Sequence, residues 1–219
     1  MIQIKRTQPA PVCLSLTNNY NCAGVLNQLK IDFHNKCYLC EEKHITTIEI
    51  DHFIPLSINP FLKLNWDNLF FSCGRCNRIK SNKKDLLDCT NITHEVTKNI
   101  RYEITPLPFE KVKLNIEINV TSFCYQETIN TINLLNEIYN GSKTENREIS
   151  SNNLRDKLIK EIQLFHYFIK KYYDSNDQEA KKRIEKKLQL SSPFAAFKYW
   201  VIVQNQQLNN DFGNLLNGY

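Results

Sequence analysis

The clearest alternation of hydrophobic and polar positions lies in the middle of the chain. Between residues 112 and 120 every second side chain is aliphatic, at Val112, Leu114, Ile116, Ile118 and Val120. Because successive side chains of a β-strand point to opposite faces, this alternation predicts a strand with one buried face. We expect residues 101–104 to be its hairpin partner, with Pro106 and Pro108 in the connection.

From residue 126 onward the hydrophobic period becomes helical, which predicts four amphipathic helices. Their apolar positions are Ile129, Ile132, Leu135 and Ile138, then Leu154, Leu158, Ile162, Phe165, Ile169 and Tyr172, then Ala180, Ile184 and Leu188, and finally Phe194, Phe197, Trp200 and Val201. Asn140 and Gly141 form a typical helix stop. Ser192 and Pro193 are typical of a cap followed by proline at the first helical position.

These patterns divide the chain into three predicted segments. We predict a first domain over residues 1–95, a β-hairpin and linker over 96–125, and a helical C-terminal region over 126–219. The first segment contains both closely spaced cysteine pairs. The predicted fold class is therefore α+β, with the helices concentrated in the C-terminal region.

The composition is that of an ordinary folded protein. Hydrophobic residues make up 42% and charged residues 23% of the 219 positions, which excludes a disordered chain. The net charge of +5 is too small to establish a polyanionic partner by itself. No stretch reaches the roughly 18–20 apolar residues that span a bilayer, and the first residues lack the features of a signal peptide. We expect a soluble, cytoplasmic protein.

Two CxxC pairs separated by 32 residues carry the strongest chemical signal, at Cys37, Cys40, Cys73 and Cys76. Each pair can offer two thiolates to one metal ion, and four sulfur ligands in a tetrahedron favour zinc. Four protein ligands leave no open position, so such a zinc would be structural. The alternatives are four buried apolar cysteines or a four-cysteine iron–sulfur cluster. The remaining cysteines, Cys13, Cys22, Cys89 and Cys124, are expected to be small buried hydrophobic residues.

Candidate catalytic residues lie between and directly after the two pairs, at Asp51, His52, Asn68 and Asn77. Carboxylate and amide oxygens suit a hard ion such as Mg²⁺, and an imidazole can accept a proton from water near neutral pH. Neighbouring strand residues face opposite sides, so Asp51 and His52 can flank one phosphate only where the strand ends or twists. Pro55 favours a strand end there. Zinc ligation at Cys76 would hold the backbone that presents Asn77.

Two clusters of basic residues are candidate phosphate contacts. The first follows the second cysteine pair and consists of Arg75, Arg78, Lys80, Lys83 and Lys84. Its position beside the candidate catalytic residues favours nucleic-acid binding over the alternative of a solvated helix face. The second consists of Lys181, Lys182, Arg183, Lys186 and Lys187, and here a solvated face is favoured because no catalytic candidate lies nearby.

Residues 37–80 resemble the HNH endonucleases, which have a ββα-metal fold, in their four-cysteine zinc form. The resemblance is carried by the segments CYLC, IEIDHFIPL and NWDNLFFSCGRCNRIK. It implies that Asp51 and Asn77 hold a catalytic Mg²⁺ or Mn²⁺, that His52 is the general base, and that Asn68 orients His52. The last motif position is Asn rather than His, and a neutral amide supplies less charge to the metal.

Further segments are similar to the HNH subunit of Septu-type anti-phage defence systems, which also accompanies some retrons. They are IKRTQPAP, TINLLNEIYNGS, NREIS and SSPFAAFKYW. The resemblance implies a phosphodiester hydrolase that acts on nucleic acid, DNA in preference to RNA, beside an ATPase subunit called PtuA. The helical C-terminal region would bind that ATPase. Two alternatives remain, a non-catalytic zinc-ribbon-like module that binds nucleic acid or protein, and a regulated subunit that is inactive alone.

Overall fold

The computed structural model describes residues 1–219 and contains helices and short strands in a mixed order. The helices are α1 (Val12–Leu16), α2 (Ala23–Asp32), α3 (Gly74–Lys80), α4 (Val96–Asn99), α5 (Tyr125–Asn140), α6 (Glu145–Ser175), α7 (Gln178–Lys187), α8 (Ala195–Val203) and α9 (Gln206–Phe212). The strands are β1 (Ile48–His52), β2 (Leu69–Cys73), β3 (Ile100–Glu103) and β4 (Lys113–Ile116). They form two separate two-stranded sheets. The predicted α+β class is confirmed.

β1 and β2 form an antiparallel pair that leads directly into α3. Ile48 pairs with Cys73 and His52 pairs with Leu69, so the loop of residues 53–68 connects the two strands at the His52 end. All five residues of β2 are buried, and aromatic rings pack against Phe70 at its centre. β1 ends at His52, where the sequence predicted a strand end.

The predicted central hairpin is confirmed in place but is shorter than predicted. β4 covers Lys113–Ile116 rather than residues 112–120, and Ile116 pairs with Ile100 at the start of β3. The residues before Ile100 form the helical turn α4, so residues 117–120 have no strand left to pair with. Only the Glu117 N–H continues the ladder, donating to the Asn99 carbonyl over 3.0 Å.

The four predicted C-terminal helices are confirmed as α5 to α8. α5 ends at Asn140, as predicted, and the Thr144 side chain caps α6. The start of α8 is a correction, because it begins at Ala195 instead of at Pro193. Phe194 adopts a left-handed conformation with φ of 52°, which no helix can include. None of the helices, the 31-residue α6 among them, is both long enough and apolar enough to cross a membrane.

One hydrophobic core of 38 residues runs through all three predicted segments, with Val25, Phe70, Ile100, Leu135 and Trp200 among its members. A smaller cluster of six residues fills the space between α6, α7, α8 and α9. All three predicted segments therefore contribute to the larger core, and the smaller cluster lies within the C-terminal one.

Glu41, which directly follows the first cysteine pair, attaches this part of the chain to the C-terminal region. Its buried carboxylate lies 3.0 Å from the Met1 ammonium and 3.5 Å from Nζ of Lys36, and it accepts a hydrogen bond from the Ala196 N–H. Burial raises the pKa of this carboxyl, but the two ammonium groups outweigh that effect and lower the pKa to about 2. Tyr139 adds a second link, since its hydroxyl donates to the Cys40 carbonyl over 2.8 Å.

The cysteines outside the two pairs behave in two ways. Cys89 and Cys124 are buried and free, as expected. Cys13 and Cys22 instead form a disulfide, which corrects the expectation that they are buried hydrophobic residues. The bond joins α1 to the residue before α2, and the fold brings the two Cα atoms within 6.2 Å. Their separation of nine positions does not distinguish them in the sequence from unpaired cysteines.

Candidate metal centre and catalytic site

The four cysteines of the CxxC pairs converge on one point. Their sulfur atoms all lie within 4.8 Å of one another, and all four residues are buried and free of disulfides. Cys73 ends β2 and Cys76 lies in the first turn of α3, where the Cys76 N–H points at the Cys73 sulfur over 3.4 Å. Four thiolates at about 2.3 Å from a zinc ion also lie within this distance of one another. The donor set therefore fits zinc.

The thiols influence each other's ionisation strongly. Burial raises the pKa of Cys37, but hydrogen bonds from the other three thiols outweigh it and bring its pKa well below the ordinary value. Those hydrogen bonds to Cys37 raise the pKa of Cys40 and Cys76 well above the ordinary value. A divalent cation at the centre of the cluster would stabilise all four sulfurs as thiolates.

His52 stands at the end of β1 with one ring nitrogen engaged. Its Nε2 atom lies 3.1 Å from the Lys63 carbonyl oxygen, and its ring packs edge-on against Tyr20 with centroids 4.7 Å apart. A carbonyl oxygen can only accept, so Nε2 carries the hydrogen and Nδ1 keeps its lone pair. The Lys63 carbonyl therefore selects the tautomer in which Nδ1 can accept a proton.

Asn68 acts on the loop that leaves β1. Its Oδ1 accepts from the Ile54 N–H over 2.7 Å, and its Nδ2 donates to the Ile54 carbonyl over 3.0 Å. The Asn68 carbonyl also accepts from the Phe53 N–H. The predicted orienting group thus holds the backbone one and two residues beyond His52, and it contacts no atom of the imidazole by hydrogen bond.

Asp51 faces away from His52, as the strand alternation predicts. It is buried, and each carboxylate oxygen has a partner: the Tyr38 hydroxyl donates to Oδ2 over 2.7 Å, and Lys80 Nζ donates to Oδ1 over 3.1 Å. Burial raises the pKa of the Asp51 carboxyl and lowers the pKa of the Lys80 ammonium. Lys80 also donates to the His52 carbonyl over 2.8 Å. The ion pair between Asp51 and Lys80 therefore holds α3 against the end of β1.

No hydrogen bond joins Asn77 to Asp51, the two predicted ligands of the catalytic metal. Asn77 instead donates through Nδ2 to Oε2 of Glu49 over 2.7 Å. Asn77 and Glu49 line a cavity of about 310 Å³, together with Tyr20 and Asn21. Sequence reasoning missed Glu49 and Tyr20. The signal for Glu49 was its position two residues before Asp51, on the same face of β1, whereas nothing local marks Tyr20.

The first basic cluster divides into internal and exposed cations. Arg75 donates to Ser150, Ser151 and the Ile138 carbonyl, and so holds α3 against α5 and α6. Lys80 is fully buried against Asp51. Arg78, Lys83 and Lys84 remain on the surface, where they lie near the acidic side chains of Glu49, Glu137 and Asp85, respectively.

The second basic cluster lies on α7, where two of its members have acidic partners. Arg183 pairs with Glu179 and Lys187 pairs with Glu161. The solvated face that the sequence favours for this cluster stays a prediction.

Replacing Lys80 with methionine is expected to destabilise the protein by about 3–5 kcal/mol, because it leaves the Asp51 carboxylate buried without its cation. Adding Asp51→Asn should recover most of the loss, since the amide is neutral and can still accept from Tyr38. Urea unfolding measures both effects. Lys84→Met is the matched control, with a lysine whose side chain is 59% exposed. Equal unfolding midpoints for Lys80→Met and Lys84→Met would contradict this account of the pair.

The geometry is that of a ββα-metal core: two antiparallel strands, a helix directly after them, four thiols at one end and a histidine at the end of the first strand. Residues 37–83 match the family model described as HNH endonuclease. The chain is also similar to the Septu protein PtuB of Bacillus thuringiensis, with 43% identity over 47 residues. That alignment covers 20% of this chain and only 18% of the length of that protein. No solved structure matches the chain significantly. The predicted resemblance to HNH endonucleases and to the Septu HNH subunit is thereby confirmed.

Proposed function

We propose that the chain is a metal-dependent HNH endonuclease that hydrolyses phosphodiester bonds of nucleic acid, DNA in preference to RNA. One observation carries this proposal: within the HNH segment, His52 lies at the end of β1 with Nε2 bonded to a carbonyl and Nδ1 left as an acceptor. A neutral imidazole held in one tautomer is what a general base for water requires.

The reaction begins with His52. Nδ1 accepts a proton from a water molecule, and the oxygen of that water attacks phosphorus while the 3′-oxygen leaves with the electron pair of the broken P–O bond. The Lys63 carbonyl keeps the ring in place and stabilises the imidazolium that forms, because its oxygen accepts from Nε2. The products carry a 5′-phosphate and a 3′-hydroxyl. Asn68 contributes by holding the loop after His52.

The amide oxygen of Asn77 is a suitable ligand for the catalytic Mg²⁺ or Mn²⁺. A divalent cation there would draw charge from the phosphate and stabilise the leaving oxygen. Asp51, the second ligand that the sequence predicts, could take this role only by giving up its bond to Tyr38 or Lys80. The four-thiolate zinc has a structural role, since Cys73 and Cys76 hold the start of the helix that presents Asn77.

The exposed cations of the first basic cluster are the proposed contacts to the nucleic-acid backbone. Arg78 is the best placed, because its side chain is 71% exposed and its guanidinium lies 3.8 Å from Glu49, which lines the same cavity as Asn77. Lys83 and Lys84 extend the positive charge along the following turn. Arg75 and Lys80 are bonded within the protein and serve its structure instead.

We further propose that the nuclease is the effector subunit of an anti-phage defence complex in the cytoplasm, with an ATPase resembling PtuA as its partner. The similarity to PtuB supports this assignment. The helical region offers a surface for the ATPase, since Leu164 and Tyr167, which are neighbours on one side of α6, expose apolar side chains. An apolar patch of this kind is typical of protein interfaces.

A plasmid assay tests the proposed activity. The purified chain, alone and with the ATPase, is expected to nick plasmid DNA in Mg²⁺ or Mn²⁺, to stop in EDTA, and to resume when Mg²⁺ is added in excess. The nicks should be sealed by DNA ligase, which requires a 5′-phosphate beside a 3′-hydroxyl. Nicking only in the presence of the ATPase would identify a regulated subunit. DNA binding without nicking in either case would support the zinc-ribbon-like alternative and refute the nuclease.

A further inference from the structure

We infer that Tyr20 is a positioning residue for the proposed general base: its ring fixes the plane of the His52 imidazole, and the Cys13–Cys22 disulfide holds Tyr20 in place. This inference rests on the proposed nuclease function. It adds to the site a residue from outside the segment 37–83 that matches the HNH model. Tyr20 lies between α1 and α2 and acts through the imidazole that it contacts.

The hydrogen bond to Lys63 does not by itself fix the His52 imidazole. It sets the position of one atom, Nε2, whereas the terminal torsion of a histidine side chain is broad and roughly two-fold. A half-turn about that torsion exchanges Nε2 with Cε1 and Nδ1 with Cδ2. The attacking water would then face a carbon atom instead of the nitrogen that takes its proton. A general base therefore needs a second contact that holds the plane of its ring.

Tyr20 supplies that second contact. Its ring meets the imidazole at 75° with the two centroids 4.7 Å apart, which is a favoured geometry for a pair of aromatic rings. Rotation of the imidazole about its terminal torsion would carry it against the phenol ring. Residues 15–19 and Asn21 are exposed, whereas Tyr20 is half-buried and packs against the main core. The segment thus turns one side chain inward, and that side chain is the one beside His52.

The segment that carries Tyr20 has few other links to the protein. Every hydrogen bond of residues 14–21 stays within residues 11–22, and none of these side chains is charged. The disulfide closes the segment by joining Cys13 in α1 to Cys22, which directly precedes α2. A cross-link restricts the conformations of the residues that it encloses. The bond therefore limits how far Tyr20 can move from His52.

The first turn of α2 leaves space for this disulfide. A Cβ atom on Gly24 would lie only 2.8 Å from the sulfur of Cys13, closer than a side chain can come without a shift. Because Gly24 has no side chain, the Cys13 sulfur can lie against the start of α2 and reach Cys22. The glycine is a second feature of the local sequence that serves the cross-link.

Single-turnover nicking of plasmid DNA by the full-length, zinc-loaded chain tests the role of the ring. Tyr20→Ala is expected to lower the maximal rate roughly tenfold or more, because small misplacements of a reacting group are costly. The DNA concentration that gives half of this rate should not change. Tyr20→Phe keeps the aromatic ring and should stay within about twofold of the wild type. Tyr125→Ala is the matched control, because Tyr125 is also half-buried but lies at the start of α5.

The double variant Cys13→Ser/Cys22→Ser tests the role of the disulfide. Thiol titration of the unfolded, zinc-free wild type should first find six free thiols among its eight cysteines. The double variant is expected to nick roughly three- to tenfold more slowly, because its Tyr20 is less firmly held. Adding Tyr20→Ala to it should give the rate of Tyr20→Ala alone, since both changes weaken the same contact.

Nuclear magnetic resonance of the imidazole nitrogens tests the contact without relying on activity. The His52 signals are identified by their absence in His52→Ala. In the wild type, a protonated Nε2 and an unprotonated Nδ1 should give two well-separated nitrogen signals. In Tyr20→Ala this separation should shrink, because the ring and its proton then exchange between several arrangements. In Tyr20→Phe the separation should be retained.

Nicking by Tyr20→Ala at the wild-type rate would overturn the inference, as would nitrogen signals that Tyr20→Ala leaves unchanged. Equal losses in Tyr20→Phe and Tyr20→Ala would show that the hydroxyl matters and not the ring. Eight free thiols in the wild type would refute the role of the disulfide. Failure of the nuclease is distinguishable from all of these, because it is seen as wild-type nicking by His52→Ala while the nitrogen signals still report the contact with Tyr20.

Discussion

The His52→Ala variant is expected to nick plasmid DNA roughly 10²–10⁴-fold more slowly than the wild type at saturating Mg²⁺, the range that loss of a general base produces. The physical reason is that Nδ1 of His52 is the atom left to take the proton from water, while its partner nitrogen is bonded to the Lys63 carbonyl. Initial rates measured under single-turnover conditions report the chemical step. Far-UV circular dichroism and zinc content should be unchanged, because the imidazole is not part of the core or of the cysteine cluster.

His44→Asn is the matched control for this experiment. His44 lies on the surface of the same zinc-bearing segment, between the two cysteine pairs, and its φ of 62° is in a region that asparagine tolerates and alanine does not. It should nick at the wild-type rate. A His52→Ala variant that nicks as fast as His44→Asn would show that His52 is not the base, and the proposed mechanism would have to be abandoned.

Removal of the zinc site is expected to have the largest effect on stability. Structural zinc contributes ~10–16 kcal/mol in small zinc-dependent domains, which is comparable to the ~5–15 kcal/mol that stabilises a typical folded protein in total. Cys37→Ala and Cys73→Ala should therefore both lose zinc and unfold at least the N-terminal segment. Unfolding will extend further, since Tyr139 bonds to the Cys40 carbonyl and Ala196 bonds to Glu41, which directly follows the first cysteine pair.

Thermal unfolding by circular dichroism and elemental analysis measure these effects, with about one zinc and no iron per wild-type chain as the expected content. Cys89→Ala is the matched control, because Cys89 is equally buried but lies outside the cluster. It should keep its zinc and lose on the order of 1 kcal/mol. If Cys73→Ala melts at the same temperature as Cys89→Ala, the four cysteines are ordinary buried residues and the zinc assignment is wrong.

The convergence of the four cysteines and the position of His52 at a strand end were predictable because their signals are local in sequence. Two cysteines three positions apart can face one ion whatever the rest of the chain does, and two such pairs require only that the chain brings them together. The end of β1 at His52 was predictable for a similar reason, since a proline follows three positions later. The hydrophobic period alone was enough to predict the β3–β4 hairpin and the helices α5 to α8.

The neighbours of each acidic side chain were not predictable. The period-two rule placed Glu49 and Asp51 on one face of β1, but it gave no means of knowing that Lys80 would reach Asp51 and Asn77 would reach Glu49. The answer depends on how α3 crosses the strand. Alternation likewise could not foresee that α4 ends the β3–β4 ladder, because a strand's length depends on its partner.

Short-range patterns thus account for the chemistry this chain carries: four thiols, an imidazole at a strand end, and amides and carboxylates around it. Long-range packing decided which of those groups are exposed to solvent and which are buried or bonded within the protein. It buried Asp51 against a lysine, left Glu49 open to a cavity, linked Cys13 to Cys22, and merged the three segments on one core. The physical reason is that burial and charge pairing depend on residues distant in sequence, whereas strand alternation, helical period and ligand spacing depend only on near neighbours.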